Sequence, residues 1–304
     1  MESILQGLPP ASPVALVRLR SLGDCVLTTP ALQILKQARP DLHVAVVVED
    51  RFRPLFAGNP DVDAILPPHL GALRSWRPRL CLNLHGGTRS AWMTALSGAR
   101  HRAAFAHFRL RTAYNVRIPR AQEILGVERK VHTAEHLASA IFYLGAPAGE
   151  IPRARLVPDR PTLNAANGLA VLHPAAATPE KTWPAAGFLE VANQLVRCGL
   201  NPVFIGGAAD DLSPFAGFRT IRGAPLGDIK NLLAGASLFI GNDSGPAHMA
   251  AAFGLPVVVI FGASDPEIWA PWRTPSEILT SPEGIAGVRP AQVLEAVARL
   301  RVAV

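Results

Sequence analysis

The sequence predicts an α/β protein built from two doubly wound, Rossmann-like lobes. Short runs of β-branched residues alternate with helical patterns from end to end, which is typical of parallel α/β layers. Proline and glycine are dense at 146–152, with Pro158 and Pro161 soon after, and such a segment indicates a linker between domains. The chain of 304 residues, 49% hydrophobic and 17% charged, is long enough for two complete cores. We therefore expect one lobe at 1–160 and the other at 161–304.

The first lobe is expected to begin with a strand and to continue as a βα repeat. A helical pattern follows the first strand and ends near Ala38. Its start has two interpretations: Thr29 as the N-cap with Pro30 at the first helical position, or a start at Gly23 with Pro30 inside the helix. The elements expected in this lobe are strands at 14–19, 43–48, 64–66, 80–84 and 102–105 and a later helix at 133–144.

The second lobe repeats the alternation. Its first helical pattern places apolar residues at 188, 191, 192, 195 and 196, which is the spacing of one helix face. The elements expected here are strands at 169–173, 202–205, 238–241 and 257–261 and helices at 246–253 and 290–302. Doubly wound sheets bind ligands beyond the carboxyl ends of their strands, so we expect a ligand in a cleft between the lobes.

Several classes of protein are disfavoured by the sequence. No apolar run reaches the ~18 residues that span a bilayer, and residues 1–12 lack the basic start of a signal peptide. The three cysteines, Cys25, Cys81 and Cys198, form no CxxC pair, so we expect a reducing cytoplasm. Walker A, GxGxxG and GxSxG motifs are missing, which disfavours P-loop NTPases, dinucleotide oxidoreductases and α/β-hydrolases.

Positive charge is concentrated in the first lobe. Residues 1–160 carry 21 Lys and Arg against 12 Asp and Glu, whereas residues 161–304 carry 9 against 11. Six arginines fall between Arg100 and Arg120. A solvated basic face and a site for an anionic partner explain them equally well. No recognisable nucleic-acid module accompanies these arginines, so nucleic acid is not the expected partner.

The turn Gly-Asn-Asp-Ser-Gly at 241–245 joins an apolar strand directly to a helix that has Pro246 near its first position. Free backbone N–H groups and the helix dipole make such a helix start an anion site. Asp243 would repel a phosphate, and a ligand hydroxyl suits it better. The alternative is an ordinary βα turn with Asp243 or Ser244 as the N-cap.

Two further residues suit group transfer. Asp24 follows the first strand, at the edge where a ligand is expected, and a carboxylate there can accept a proton from an attacking hydroxyl. Lys181 follows the first strand of the second lobe and can neutralise a leaving diphosphate. The alternatives are a helix cap for Asp24 and a merely solvated side chain for Lys181.

These segments occur in order with several others over nearly the whole chain. They are RLRSLGDCVLTTP at 18–30, GNPDVD at 58–63, LHGGTRS at 84–90, EKTWP at 180–184, GNDSGPAH at 241–248, FGASDP at 261–266, Trp269 and Pro271-Trp272. The set resembles glycosyltransferase family 9, the lipopolysaccharide heptosyltransferases. The chain departs from it after His173-Pro174, where Ala-Ala-Ala-Thr replaces a turn with Gly and a hydroxyl residue, and at Ala209 and Asp210, where relatives often carry a Glu near the ribose.

The resemblance implies a GT-B fold, with two lobes facing a central cleft, and an inverting reaction without a metal ion or a cofactor. Asp24 would be the general base, and Lys181 would be the partner of the diphosphate. The donor would be ADP-L-glycero-D-manno-heptose, and the acceptor would be Kdo–lipid A or a heptose of the lipopolysaccharide inner core. The donor-binding residues would be Asp243 for the sugar and Ser244, Gly245 and His248 for the phosphates.

The resemblance also gives the arginines a role, because a phosphorylated acceptor at a membrane surface is acidic. It implies a cytoplasmic protein in peripheral contact with the cytoplasmic face of the inner membrane. The acceptor-binding residues would be Arg20, Arg100, Arg102, Arg109 and Arg111.

Three other interpretations remain open. His-Thr-Ala-Glu-His at 132–136 fits the HxxEH pattern of inverted zinc peptidases. Asp-Val-Asp at 61–63 has the form of a DxD metal motif, although a loop before a short strand is favoured. The third is a non-catalytic nucleotide-sugar-binding protein on a transferase frame, and the presence of both Asp24 and Lys181 argues against it.

Overall fold

The computed structural model of the chain describes residues 3–160, 168–300 and 302. The chain divides into two compact units, Met1–Val157 and Pro158–Val304. Each unit contains a parallel sheet with helices packed against it, which confirms the predicted α/β class. The boundary expected between residues 160 and 161 stays a prediction, because Pro161 lies outside the described residues.

The sheet of the first unit consists of β1 (Pro13–Val17), β2 (His43–Val47), β3 (Ala64–Leu66), β4 (Leu80–Asn83), β5 (His101–Phe105) and β6 (Val116–Ile118). Their order is β3-β2-β1-β4-β5-β6, with all neighbours parallel. The order reverses between β1 and β4, and ligands of such sheets bind beyond the carboxyl ends of the strands at this reversal. The expected strands are confirmed to within two residues, and β6 is additional.

The helices described in the first unit are α1 (Ile4–Gly7), α2 (Leu22–Ala38), α3 (Leu70–Trp76), α4 (Thr88–Ala95), α5 (Ala121–Leu125) and α6 (Thr133–Leu144). Helix α2 begins at Leu22 and has Pro30 inside it, so the alternative start at Pro30 is wrong. A proline inside a helix leaves the carbonyl four residues earlier without its usual donor. Here that carbonyl, of Val26, accepts from the Thr29 hydroxyl at 2.8 Å.

The sheet of the second unit consists of β7 (Leu169–His173), β8 (Asn201–Gly206), β9 (Arg219–Arg222), β10 (Leu238–Asn242), β11 (Val257–Ile260) and β12 (Ser276–Leu279). Their order is β12-β11-β10-β7-β8-β9, again with all neighbours parallel. The order reverses between β7 and β10, so both units repeat one doubly wound arrangement. The four expected strands are present, and the edge strands β9 and β12 are additional.

The helices described in the second unit are α7 (Ala185–Arg197), α8 (Leu226–Ala234), α9 (Gly245–Ala252), α10 (Pro266–Trp269) and α11 (Pro290–Arg299). Helix α7 buries Phe188, Val191 and Leu195 as expected, but Val196 is 52% exposed. At 100° per residue, Val196 lies about 80° around the helix from Phe188 and falls at the edge of the apolar face. Helix α11 ends at Arg299, three residues before the expected end at 302.

Aromatic side chains pack together in the hydrophobic core of the second unit. The ring centroids of Phe204 and Phe215 are 4.1 Å apart and nearly parallel, and Phe188 meets Trp183 edge-on at 4.9 Å. Among the residues that the structure describes, no helix combines the length and the apolar character that crossing a bilayer requires.

Candidate active site

Asp24 lies in the first turn of α2, just beyond the carboxyl end of β1 at the reversal of strand order. The N-cap of α2 is Ser21, so Asp24 does not have the capping role that was its alternative. Asp24 Oδ1 lies 3.5 Å from Arg18 Nη1. The Asp24 side chain is 20% exposed and that of Arg18 only 7%. The buried guanidinium of Arg18 therefore lies beside the partly exposed carboxylate of Asp24.

The sequence analysis missed Arg18. Burial lowers the pKa of its guanidinium, and the negative charge of Asp24 opposes that effect. Its buried Nε has no hydrogen-bond partner among the described residues. A buried charge needs a partner, so an arginine at the end of an apolar strand was the sequence feature that pointed to Asp24.

The loop after β4 lies on the other side of the same reversal. Asn83 Oδ1 accepts from the backbone N–H of His85 at 2.9 Å and from that of Gly86 at 3.2 Å, which holds a tight turn. Burial and then the charges of Arg18 and Arg20 lower the pKa of His85, so its imidazole is neutral at pH 7. This corner of the first unit therefore combines a carboxylate, a neutral imidazole and buried positive charge.

The HxxEH segment forms the start of α6. His132 Nδ1 accepts a backbone N–H of the first turn at 3.1 Å, and Glu135 accepts from Arg129 at 2.6 Å and from the His132 N–H at 2.9 Å. His136 stacks on Phe105, with ring centroids 3.9 Å apart, and burial above all lowers its pKa to about 4. These contacts explain the motif as a capping box and a stacked histidine, and they do not support the peptidase interpretation.

Asp61 and Asp63 lie in the loop before β3, as favoured from the sequence. Asp61 Oδ2 is 3.2 Å from Arg155 Nη1, and Asp63 Oδ2 is 2.7 Å from Lys36 Nζ. Each carboxylate is therefore paired with a basic side chain of the first unit. Over residues 3–160, 168–300 and 302, no three His, Cys, Asp or Glu side chains group in a way that could hold a metal ion.

The turn after β10 forms the candidate donor site. Strand β10 ends at Asn242, and α9 begins at Gly245, one residue earlier than expected. Ser244 occupies the N-cap, but its side chain does not cap the helix; its Oγ lies 3.0 Å from His173 Nδ1. The backbone N–H groups at the start of α9 therefore remain suited to an anion.

His173 ends β7, the strand next to β10. Burial lowers its pKa to about 4, and the charge of Asp210 only partly opposes this. The ring is therefore neutral at pH 7 and adds no positive charge beside the turn. Its contact with Ser244 fixes the serine hydroxyl, whichever of the two is the donor.

Lys181 and Asp243, two residues singled out from the sequence, lie together. Lys181 Nζ is 3.6 Å from Asp243 Oδ2, and the two side chains are 32% and 11% exposed. Lys181 ends a short turn at Pro179–Lys181, and Asp243 lies between β10 and α9. The lysine is thus paired rather than merely solvated, and the aspartate is not the N-cap.

Trp183 links the loop after β7 to the turn after β10. Its backbone N–H donates to Asn242 Oδ1 at 3.0 Å, and its ring Nε1 donates to the Val288 carbonyl at 2.8 Å. Asn242 Nδ2 in turn donates to the Pro174 carbonyl at 2.8 Å. A Cβ at Gly187 would lie 2.5 Å from the Trp183 ring, so glycine is required for this packing. These hydrogen bonds hold the loop that carries Lys181 next to the turn that carries Asp243.

Gly262 and His248 complete the donor side. A Cβ at Gly262 would overlap the carbonyl oxygen of Glu180, so the loop after β11 packs directly on the turn that carries Lys181. His248 lies inside α9 with 4% exposure, and its ring centroid is 6.5 Å from that of Trp269. The His248 side chain is therefore buried within the second unit.

A cavity of about 310 Å³ opens next to the donor turn. Asp210 and Asp211 stand at one side of it, and Asp210 Oδ2 also accepts from the Gly207 N–H at 2.7 Å. Ala175 and Ala176, where the sequence departs from the family, leave this space open with their small side chains. The lining residues are Pro174, Ala175, Ala176, Thr182, Trp183, Ala185, Ala209, Asp210, Asp211, Pro214 and Phe215.

The five arginines expected at an acceptor do not gather at one place. Arg20 follows the carboxyl end of β1 and lies at the edge of the sheet where Asp24 is found. Arg109 and Arg111 lie in the connection from β5 to β6, and Arg111 begins a short turn that ends at Ala113, whose carbonyl accepts from Arg102. Arg100 and Arg102 lie at the opposite, amino end of β5. The Arg102 guanidinium donates to two backbone carbonyls, both at 3.2 Å, and has a structural role.

Known proteins resemble this chain over most of its length. Residues 71–290 match the family model of glycosyltransferase family 9 (heptosyltransferase). Lipopolysaccharide heptosyltransferase 3 of Escherichia coli K12 is 27% identical over 296 residues, which cover 84% of this chain and 83% of that protein. Lipopolysaccharide heptosyltransferase 1 of Pseudomonas aeruginosa PAO1 is 28% identical over 291 residues, which cover 83% and 79%.

The fold has a close counterpart among solved structures. The structure of the E. coli ADP-heptose lipopolysaccharide heptosyltransferase II superposes with a TM-score of 0.80 at 20% identity, covering 95% of this chain and 98% of that one. The two Rossmann-like sheets are those of the GT-B fold, as the resemblance implied. Because the family model matches well over half of the sequence, the chain belongs to glycosyltransferase family 9 and is a glycosyltransferase.

Proposed function

We propose that the protein transfers a heptose from ADP-L-glycero-D-manno-heptose to the lipopolysaccharide inner core, on Kdo–lipid A or on a heptose already attached to it. The relatives at 27% and 28% identity support this, since both are lipopolysaccharide heptosyltransferases by name. The observation that carries the proposal is the pair of Lys181 and Asp243, 3.6 Å apart beside the start of α9. A cation, a carboxylate and a helix start suit the phosphates and the hydroxyls of a sugar diphosphate.

On the donor side, the diphosphate accepts hydrogen bonds at the start of α9, from Ser244 and Gly245, and pairs with Lys181. Asp243 then accepts from a hydroxyl of the heptose. Negative charge grows on the leaving diphosphate as its bond to the anomeric carbon breaks, and Lys181 and the helix dipole stabilise it. His248 supports this helix start from within α9. In this proposal the reaction is inverting and independent of a metal ion.

The nucleoside of the donor occupies the cavity beside Asp210 and Asp211. Carboxylates accept hydrogen bonds from ribose hydroxyls, and these two line the cavity. The aromatic and alanine side chains around them provide an apolar surface for a base. The second unit, 161–304 by the sequence analysis, is therefore the proposed donor-binding domain.

On the acceptor side, Asp24 takes the proton from the acceptor hydroxyl that attacks the anomeric carbon. Arg18 is the positioning residue that holds this carboxylate, at 3.5 Å. Inversion requires that the acceptor oxygen attack from the face opposite the diphosphate, so the base and the partner of the leaving group must lie on opposite sides of the anomeric carbon. The assignment of these two roles to different units meets that requirement if both units bind the substrates at once.

Arginines of the first unit bind the anionic acceptor in this proposal. Arg20 is the strongest candidate, because it follows β1 at the same edge of the sheet as Asp24, and Arg109 and Arg111 lie in the connection from β5 to β6. Arg100 contributes to the general positive field, whereas Arg102 is occupied with backbone carbonyls. The first unit, 1–160 by the sequence analysis, is the proposed acceptor-binding domain, working in peripheral contact with the cytoplasmic face of the inner membrane.

Thermal denaturation with ADP-, UDP-, GDP- and CMP-sugars, followed by a transfer assay on Kdo–lipid A, tests the proposal. We expect ADP-heptose to stabilise the protein most, since a ligand at 100 times its Kd adds about 2.7 kcal/mol. The acceptor should then gain the mass of one heptose. Preference for another nucleotide contradicts the donor assignment, and binding of ADP-heptose without transfer favours the non-catalytic alternative.

A further inference from the structure

One segment of the first unit, which forms much of one flank, contains no acidic residue. Residues 64–122 contain ten arginines and no Asp, Glu or Lys. The segment runs from β3 to the start of α5 and includes α4 and the edge of the sheet at β5 and β6. Such an excess of positive charge in one segment attracts an anionic surface. The arginines are Arg74, Arg77, Arg79, Arg89, Arg100, Arg102, Arg109, Arg111, Arg117 and Arg120.

The same flank exposes large apolar side chains. Trp92, Leu96 and Leu110 are 57%, 44% and 39% exposed, and within the described residues only Val196 of the second unit is comparable. Trp92 and Leu110 line one groove of about 110 Å³, which also includes Ala95, the residue before Leu96. Trp92, Leu96 and Leu110 therefore form one contiguous surface, which we name the apolar patch.

The backbone at Leu110 is unusual for the residue that it carries. Leu110 has φ +57° and ψ +54°, in the left-handed region that bulky residues rarely occupy. The following residues Ala113 and Tyr114 are buried, whereas Leu110 itself is 39% exposed. A leucine that stays partly exposed in an unfavourable backbone conformation suits a contact outside the chain.

Arginines surround the apolar patch. Arg89 precedes Trp92 by three residues on α4, which puts both on one face of the helix. Both chain neighbours of Leu110 are arginines, and Arg74 Nε donates to the Leu96 carbonyl at 2.7 Å. The four exposed arginines at this border, which we name the arginine rim, are Arg74, Arg89, Arg109 and Arg111.

We propose that the apolar patch and the arginine rim bind the surface of a bilayer that contains anionic phospholipids. Tryptophan and leucine side chains enter the boundary between headgroups and acyl chains, and the arginines pair with lipid phosphates. A nucleic-acid duplex would contact the arginines through its phosphates but would not bury the three apolar side chains. The inference rests on the proposed function, since a lipid-borne acceptor is reached at a bilayer, and it names the surface of the enzyme that makes the contact.

Co-sedimentation with vesicles tests the proposal. The vesicles are phosphatidylcholine with phosphatidylglycerol, or phosphatidylcholine alone. We expect the protein to bind the vesicles that contain phosphatidylglycerol far better. The affinity of the Trp92→Ser/Leu110→Ser variant for these vesicles should be lower by a factor of roughly ten or more. Val196→Ser is the matched control, because it removes an equally exposed apolar side chain from the other unit and should bind like the original protein. Equal thermal denaturation midpoints establish that the variants are folded.

Vesicle binding of Trp92→Ser/Leu110→Ser that equals that of the original protein overturns the proposal. Tighter binding to a DNA duplex than to phosphatidylglycerol vesicles, unchanged in this variant, overturns it too. Transfer assays separate the two proposals: the variant should keep transfer to a lipid-free acceptor and lose transfer to an acceptor in vesicles. If the original protein transfers to neither acceptor while its vesicle binding follows the prediction, the proposed function fails and the membrane surface stands.

Discussion

Lys181 Nζ lies 3.6 Å from Asp243 Oδ2, and the two residues come from loops that follow neighbouring strands of one sheet. The carboxylate keeps the ammonium beside the start of α9. A diphosphate that binds there competes with Asp243 for the lysine and offers more negative charge. In the proposed function, the pair would hold Lys181 in place for the donor and would release Asp243 to a sugar hydroxyl when the diphosphate binds.

Replacement of the lysine tests this exchange. Lys181→Ala should lower kcat/KM roughly ten- to hundredfold and weaken ADP-heptose binding, because a hydrogen bond to a charged group contributes about 1.5–3 kcal/mol. Calorimetric titration and steady-state kinetics measure the two effects. Arg197→Ala, which removes an exposed charge from α7, should change neither. An unchanged Kd in Lys181→Ala would count against its role at the diphosphate.

The packing under Lys181 gives a second prediction. In Gly262→Ala the new Cβ overlaps the Glu180 carbonyl, so the turn that carries Lys181 has to move. We expect a loss of about 1–3 kcal/mol in the free energy of unfolding and weaker donor binding. Urea denaturation and donor titration measure both. Gly217→Ala, whose Cβ would meet no heavy atom within 4 Å, is the matched control. A Gly262→Ala variant as stable and as tightly binding as the original would contradict this account.

The buried His173 gives a prediction for the dependence of stability on pH. Its pKa is lowered from 6.5 to about 4 in the folded chain, so the unfolded state binds more protons between these values. Stability is therefore complete above pH 6.5 and falls as the pH drops towards 4, by about 2 kcal/mol at pH 5 from this group. His173→Gln can still bond to Ser244 but does not titrate.

Urea denaturation of both proteins at pH 7 and pH 5 measures this contribution. The free energy of unfolding of His173→Gln should fall by about 2 kcal/mol less over that interval. Above pH 7 the two proteins should change in parallel. An identical fall in both would mean that His173 is not held neutral by burial.

The sequence predicted most of the strands and the main candidate residues, for a physical reason. Strands buried on both faces, such as β1, β4 and β10, appear as short apolar runs, and polar residues just after such runs lie at the edge of the sheet. Asp24, Lys181 and Asp243 were found in this way. The edge strands β9 and β12 are only partly buried, so they lack a continuous apolar run.

Features that depend on a contact between two particular residues of the chain could not be predicted from the sequence. The course of α2 through Pro30 depends on the Thr29 hydroxyl reaching one carbonyl. The separation of Arg100 from Arg109 depends on where β5 begins and ends, because the five residues of this strand lie between them. Arg18 at the end of an apolar strand was visible in the sequence, but its pairing with Asp24 is shown only by the folded chain.

We propose that this glycosyltransferase transfers a heptose and that Asp24 takes the proton in that step. The most direct test is heptose transfer from ADP-heptose to Kdo–lipid A by the original protein and by Asp24→Asn, with the donor Kd measured for each. Glu190→Gln, which neutralises an exposed carboxylate on α7, is the control. We predict transfer by the original and control proteins, and turnover roughly 10²–10⁴-fold lower in Asp24→Asn at a nearly unchanged donor Kd. Turnover close to that of the original protein in Asp24→Asn would contradict the role of Asp24, and no transfer by the original protein would contradict the proposed reaction.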